Sequence, residues 1–125
     1  MKQLLLVFLG GGVGSALRYL ISKLLNPVHP SFYWGTFTVN ILGCLLIGAI
    51  LGYTSKVNLL SENQLLLLAT GFCGGFTTFS AFAFEKHSLL KNGDFMPFFI
   101  YLASSIILGI LAVALGLWLS TKNPF

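Results

Sequence analysis

Four long apolar runs take up most of this 125-residue chain, and little length is left between them. The first extends from about Gln3 to Leu25 and the second from about Phe32 to Tyr53. The third extends from about Glu62 to His87 and the fourth from about Phe95 to Ser120. Each reaches the roughly 20 residues that an α-helix needs to cross a bilayer. The connections, Asn26 to Ser31, Thr54 to Ser61 and Ser88 to Asp94, are too short for a separate catalytic or nucleotide-binding domain. The sequence therefore predicts an all-α integral membrane protein, with four transmembrane helices in a single domain over residues 1–125.

Charge supports this assignment. Only 8% of residues are charged and 56% are hydrophobic, whereas a soluble domain carries roughly 25% charged residues. Lys2 followed by an apolar run mimics a signal peptide, but the run is too long and more spans follow, so a retained helix is expected. The net charge of +4 comes from basic residues scattered at helix ends. That pattern fits lipid headgroups and gives no nucleic-acid surface. Cys44 and Cys73 both lie in apolar spans and imply neither a structural disulfide nor a metal site.

Local signals mark the helix ends. Asn26-Pro27 closes the first helix, because the residue before proline avoids the α region. Ser61 and Gln64 have capping-box spacing at the start of the third. Asp94 can cap the fourth, with Pro97 in its first turn, where a missing N–H costs nothing.

The third run carries an interruption, Gly71-Phe72-Cys73-Gly74-Gly75-Phe76-Thr77-Thr78-Phe79-Ser80. Closely spaced glycines and paired β-branched threonines make a poor helix interior. A helix broken near Gly74–Thr78 would leave backbone groups unpaired in hydrocarbon, at several kcal/mol each. Such a break survives where protein, water or an ion satisfies the backbone. The segment is therefore expected to show backbone oxygens to an ion or to line a polar path.

Polar residues inside the other spans fall on defined faces. Gly10, Gly14 and Arg18 follow one another at i+4 steps, and Gly10 and Gly14 allow close helix approach. Arg18 has no carboxylate at its depth, so a clamp on backbone carbonyls is the favoured role, with snorkelling to the interface as the alternative. Thr36, Asn40 and Gly43 share a face of the second helix. Asn40 is either interhelical glue or a pair of N–H donors for a passing anion. Phe79 and Phe82 share a face after the break, either as packing or as rings whose weakly positive edges face an anion. Tyr101, Ser105, Gly109, Ala112 and Gly116 form a stripe on the fourth helix. It is either a helix seam or, with Ser104, a row of hydroxyl donors.

Topology signals are balanced. With four spans, Lys2, Lys56 and Lys122 fall on one side, and Lys23, Lys86 and Lys91 on the other, joined by Arg18 if it snorkels. A positive-inside bias is nearly absent, so the chain has little reason to insert one way only. The acids Glu62, Glu85 and Asp94 all lie at or near span ends. A small multidrug-type, proton-coupled exporter would need a carboxylate at mid-membrane. A non-transporting scaffold subunit would account for glycine seams but not for the broken helix. No Walker loop, zinc spacing or nucleophile–base pair is present, so nothing points to an enzyme.

Three ordered blocks carry a family resemblance over essentially the whole chain. They are Gly10-Gly-Gly-x-Gly-x-x-x-Arg18-Tyr19, Gly35-Thr36-x-x-Val39-Asn40-x-x-Gly43 and Gly74-Gly-Phe-Thr-Thr-Phe-Ser-x-Phe82. Together they resemble the CrcB, or Fluc, family of fluoride channels. The resemblance implies an antiparallel, dual-topology dimer in the prokaryotic plasma membrane, with two pores that pass fluoride in preference to chloride and so confer fluoride resistance; the balanced charge favours a homodimer over pairing with a sister chain. It implies a structural sodium ion at the dimer interface, held by the backbone carbonyls of Gly74 and Thr77. The anion pathway would use Asn40, Phe79, Phe82, Tyr101 and Ser105, with Thr36, Thr78 and Ser104 beside them. Arg18 and Gly75 would be structural. Where relatives often carry a further hydroxyl on the fourth helix, this chain has Gly109, and Ser104 or Thr78 would substitute. Fluoride is small and tightly hydrated, so a pore must replace its water with donors that bind without trapping it. The donors expected here are uncharged. A central cation would also offset the like-signed ends of two broken helices brought together.

Overall fold

The computed structural model describes residues 1–28, 31–57 and 60–122; the side chains of residues 56 and 57 lie outside the description. The Lys56 charge of the topology count and parts of the first two connections therefore fall outside the described residues. Helix α1 spans Lys2–Leu25 and runs into a short 3₁₀ turn, Asn26–Val28; helix α2 spans Trp34–Val57. The third span is broken. Its first half, α3 (residues 62–76), starts as an α-turn, widens into π-type turns over Leu66–Cys73 and ends as an α-turn at Gly74–Phe76. Its second half, α4, spans Phe79–Lys91, and helix α5 spans Phe95–Lys122. Among the described residues, four stretches are long and apolar enough to cross a membrane: Lys2–Val28, Trp34–Ser55, Glu62–Lys91 and Phe95–Lys122.

The helix ends follow from local bonding. Ser61 and Gln64 form a full capping box: the Gln64 N–H donates to Ser61 Oγ at 3.2 Å, and the Ser61 N–H to Gln64 Oε1 at 2.9 Å. Helix α2 outlasts its expected end at Tyr53. The Thr54 and Ser55 hydroxyls fold back onto the carbonyls of Ile50 and Gly52, at 2.8 and 3.0 Å, so polarity does not stop the helix. Helix α4 outlasts its expected end at His87 and stops at a left-handed Gly93 with φ +77°. There the Asp94 N–H bonds the Leu89 carbonyl and the Gly93 N–H bonds the Leu90 carbonyl, a Schellman turn.

Packing is tightest along two glycine seams. Helix α1 lies against α3, where a Cβ at Gly10 would meet the Leu67 carbonyl oxygen, and one at Gly14 would meet the Phe72 carbonyl oxygen. Helix α2 lies against α5, where a Cβ at Gly48 would meet the Val113 carbonyl and one at Gly116 the Leu45 carbonyl. Only small residues let backbones approach this closely. The largest fully buried side chains are Tyr101, Leu89, Val39 and Thr36, while long apolar side chains such as Phe8, Leu24 and Ile110 face outward. Exposed apolar surface on this scale suits contact with lipid tails.

The glycines of the interruption do not break the helix. Gly74 is helical at φ −62°, ψ −39°, and Gly75 packs against Gly11 of α1. The chain leaves the helix at Thr77 (φ −88°, ψ 159°) and Thr78 (φ −150°, ψ 119°). These are extended conformations that β-branched residues favour. The break thus falls inside the expected segment, but the threonines make it and the glycines close a seam.

Candidate functional site

The break is held from two sides. Asn40 of α2 pairs with both backbone groups of Thr78: the Thr78 N–H donates to Asn40 Oδ1 at 2.8 Å, and Asn40 Nδ2 donates to the Thr78 carbonyl at 3.1 Å. One amide side chain thereby replaces the ladder bonds that the extended residue has lost. The Thr78 hydroxyl accepts from the Ala81 N–H at 3.1 Å and caps α4. On the other side, Arg18 Nε of α1 donates to the Gly75 carbonyl at 2.9 Å, and the Ser15 hydroxyl donates to the same oxygen at 3.4 Å. These bonds redirect the donors of two carbonyls. In a continuous helix the Thr78 N–H would bond Gly74 and the Ala81 N–H would bond Thr77. Here both donors go elsewhere.

Beside the break lies an open groove of about 840 Å³. Its walls are mostly apolar. The polar and aromatic residues in it include Asn40, Thr70, Thr77 and Thr78, then Phe79, Phe82, Lys86 and His87 of α4, and Phe98 and Ser105 of α5. The Phe79 side chain is 80% exposed. Its ring centroid lies 6.1 Å from that of Phe82, which stands edge-on to Tyr101 at 5.4 Å and 89°.

Behind the Phe82 ring sits a buried polar network that the sequence does not announce. Glu85 accepts a hydrogen bond from the Thr36 hydroxyl at 2.6 Å and another from the Tyr101 hydroxyl at 2.8 Å. Asn26 closes the network through Thr36: its Oδ1 accepts from the Thr36 N–H at 3.1 Å, and its Nδ2 donates to the Thr36 hydroxyl oxygen at 3.4 Å. The network thereby ties together four elements, the turn at Asn26, α2, α4 and α5. Lys86, next in the chain, is also buried. Among the described residues, Lys86 Nζ and Ser105 Oγ are the buried side-chain polar atoms that lack a hydrogen-bond partner.

The expected site residues therefore divide into groups. Asn40, Thr78, Phe79, Phe82, Ser105, Gly74 and Thr77 all line the groove. Arg18 and Gly75 meet behind the break. Thr36 and Tyr101 spend their hydroxyl protons on Glu85. The Ser104 hydroxyl turns back to the Tyr101 carbonyl at 3.2 Å. Gly109 is buried, and a Cβ there would lie 3.6 Å from Cys44 Sγ, an ordinary contact. Sequence reasoning missed Asn26, Glu85 and Lys86. It placed Lys86 among the loop charges and expected only uncharged donors in the site; the structure buries Lys86 in the groove wall, because its helix continues to Lys91 and packs against Tyr101. The available signal was spacing: Glu85 follows Phe82 by three residues and so shares its face.

A multi-pass membrane protein with a donor-lined groove at a broken helix is the class that fold and site define. The family model for CrcB-like protein, Camphor Resistance (CrcB), matches residues 5–117. The chain belongs to the CrcB family. It is similar to the fluoride-specific ion channel FluC of Phocaeicola vulgatus, at 51% identity over 121 residues, which cover 96% of this chain and 99% of that protein. It is likewise similar to the FluC proteins of Gloeothece citriformis, at 48% identity, and Bacteroides fragilis, at 47%, each match covering 98% of this chain; they cover 100% and 98% of those proteins.

Proposed function

We propose that this chain is a fluoride-selective channel, not an enzyme, that exports fluoride passively across the prokaryotic plasma membrane and so confers fluoride resistance. The observation that carries this reading is the groove, which collects Asn40, Thr78, Phe79, Phe82 and an unpartnered Ser105 hydroxyl beside a broken membrane helix. The fluoride-channel names of the similar proteins point the same way. Fluoride entering the groove would exchange water for the second Asn40 N–H, the Ser105 hydroxyl and the phenyl edges. Thr36 and Tyr101 would act through Glu85, and would face the ion only by releasing it.

The working unit in this reading is an antiparallel homodimer of dual topology. The groove is open at its side, and a second copy would close it. Without Lys86, the charge tally is Lys2, Lys56 and Lys122 against Lys23 and Lys91, a difference of one by count, so neither orientation is favoured. The sodium ion fits the same arrangement. Gly74 is exposed, with nothing among the described residues within 4 Å of an added Cβ, and the helical donors of the Gly74 and Thr77 carbonyls are bonded elsewhere. Two carbonyls from one copy are too few for a hard cation, and two copies would double them. When bound, the ion would supply positive charge between the paired broken helices.

Glu85 does not favour the proton-coupled exporter. It lies within two turns of the end of α4 and is held by two hydroxyls. A scaffold subunit leaves the unpartnered groove donors unexplained. Liposomes that hold the purified protein and internal fluoride test the channel. They should empty when a potassium ionophore relieves the charge build-up, and chloride should stay inside. Fluoride release that needs a proton gradient and carries no current would overturn the proposal.

A further inference from the structure

Lys86 is the residue whose situation the fold leaves incomplete. It is only 6% exposed, and its Nζ has no hydrogen-bond partner. Glu85, adjacent in sequence, acts on this charge through space, but neighbouring helical residues point about 100° apart, and both its carboxylate oxygens accept hydroxyls rather than the ammonium. The Lys86 ammonium instead sits 2.9 Å from the centroid of the Tyr101 ring and 4.9 Å from that of Phe82. Cation–π contact of this kind fixes the charge in place. It supplies no acceptor for the remaining N–H directions.

A buried ammonium without an acceptor is costly, and charges inside membrane proteins usually mark a path for an ion. Lys86 and Ser105 both line the groove. Both are donors, and the partner that both lack is an acceptor. Both tips are shut off from solvent, so a small anion in the groove meets the ammonium through the field of its charge rather than by contact.

We propose that the Lys86 ammonium is the cationic group of the anion path in this chain, and that it draws fluoride into the groove and sets the concentration at which the path fills. This inference rests on the fluoride-channel reading. Charge in the groove deepens the well for the ion. The faces of Tyr101 and Phe82 share that charge and keep the well shallow enough for release.

The test uses Lys86→Met, which keeps the stem and removes the charge, and Lys86→Arg, which keeps the charge. Fluoride is titrated into detergent-purified protein and followed by fluorine NMR, and efflux from liposomes is measured against internal fluoride concentration. In Lys86→Met the half-saturating fluoride concentration should rise about tenfold in both measurements, the scale expected for losing one nearby charge at partly screened distance. Lys86→Arg should keep most of the affinity. An assembled Lys86→Met protein with wild-type titration would overturn the proposal. A direct readout needs no charge-removing variant. In protein labelled with nitrogen-15 at the lysine ε position, the Lys86 signal, assigned by its absence in Lys86→Arg, should shift with fluoride. An unmoved signal at saturating fluoride would sink the idea even if Lys86→Met failed to assemble. The two readings fail separately: Lys86-dependent binding without flux would remove the channel and keep the site. Flux with a titration indifferent to Lys86 would do the reverse.

Discussion

The glycine seams and the groove solve opposite problems in one small molecule. Along α1–α3 and α2–α5, backbones touch through Gly10, Gly14, Gly48 and Gly116. Lipid tails are as apolar as leucine, so close packing has to hold the helices together. The groove stays open at its side, and in its wall, among the described residues, the buried Ser105 Oγ and Lys86 Nζ lack hydrogen-bond partners. Glycine therefore serves proximity here, and polarity marks the place of work. Gly75 touches α1 while its own carbonyl takes the Arg18 guanidinium, so the two regions meet at one residue.

Breaking a seam should have the largest effect. In Gly14→Val the new side chain would meet the Phe72 carbonyl and the Phe76 N–H. Backbone cannot yield as a side chain does, so the cost should be about 3 kcal/mol, and monodisperse protein should be lost on size-exclusion chromatography. Gly74→Ala sharpens the contrast. Among the described residues nothing lies within 4 Å of that Cβ, and the backbone is helical, so the single chain should fold as before. In the proposed dimer the same substitution should weaken assembly, read by size-exclusion chromatography, and sodium retention, read by atomic emission; a variant that keeps both would remove the proposed ion site.

Asn40→Ala comes next. It strips the Thr78 backbone of two hydrogen bonds, at about 1–3 kcal/mol, and where that free energy is lost from the conducting state fluoride efflux should fall roughly 5- to 150-fold. Phe79→Ile should separate flux from stability. The ring is 80% exposed, so the unfolding midpoint should hold while efflux drops about tenfold, equivalent to some 1.4 kcal/mol of barrier. A parallel fall in both would make the ring mere packing. Ser104→Ala should do least, because its hydroxyl only folds back on the Tyr101 carbonyl. A stability change under about 0.5 kcal/mol is expected from thermal unfolding.

The four spans were legible because apolar length alone identifies a membrane helix. Their ends were less so, because the hydroxyls of Thr54 and Ser55 bond within the helix they appeared to end. The break was legible as a segment, but of its two expected causes the threonines act and the glycines do not. Closely spaced glycines look like breakers until a facing glycine helix gives them a seam. In the site, the groove residues stood out through their types. The Glu85 network did not, since its partners Thr36 and Tyr101 come from separate helices and only folding brings them together. Lys86 looked like a loop charge because its helix was expected to stop at His87.

The most direct measurement is the reversal potential of the protein's current in a planar bilayer, with unequal fluoride and equal chloride on the two sides. The account predicts a current that reverses at the fluoride equilibrium potential and is unmoved by a pH gradient. A reversal that follows chloride, or a fluoride flux that requires the pH gradient and carries no current, would contradict it.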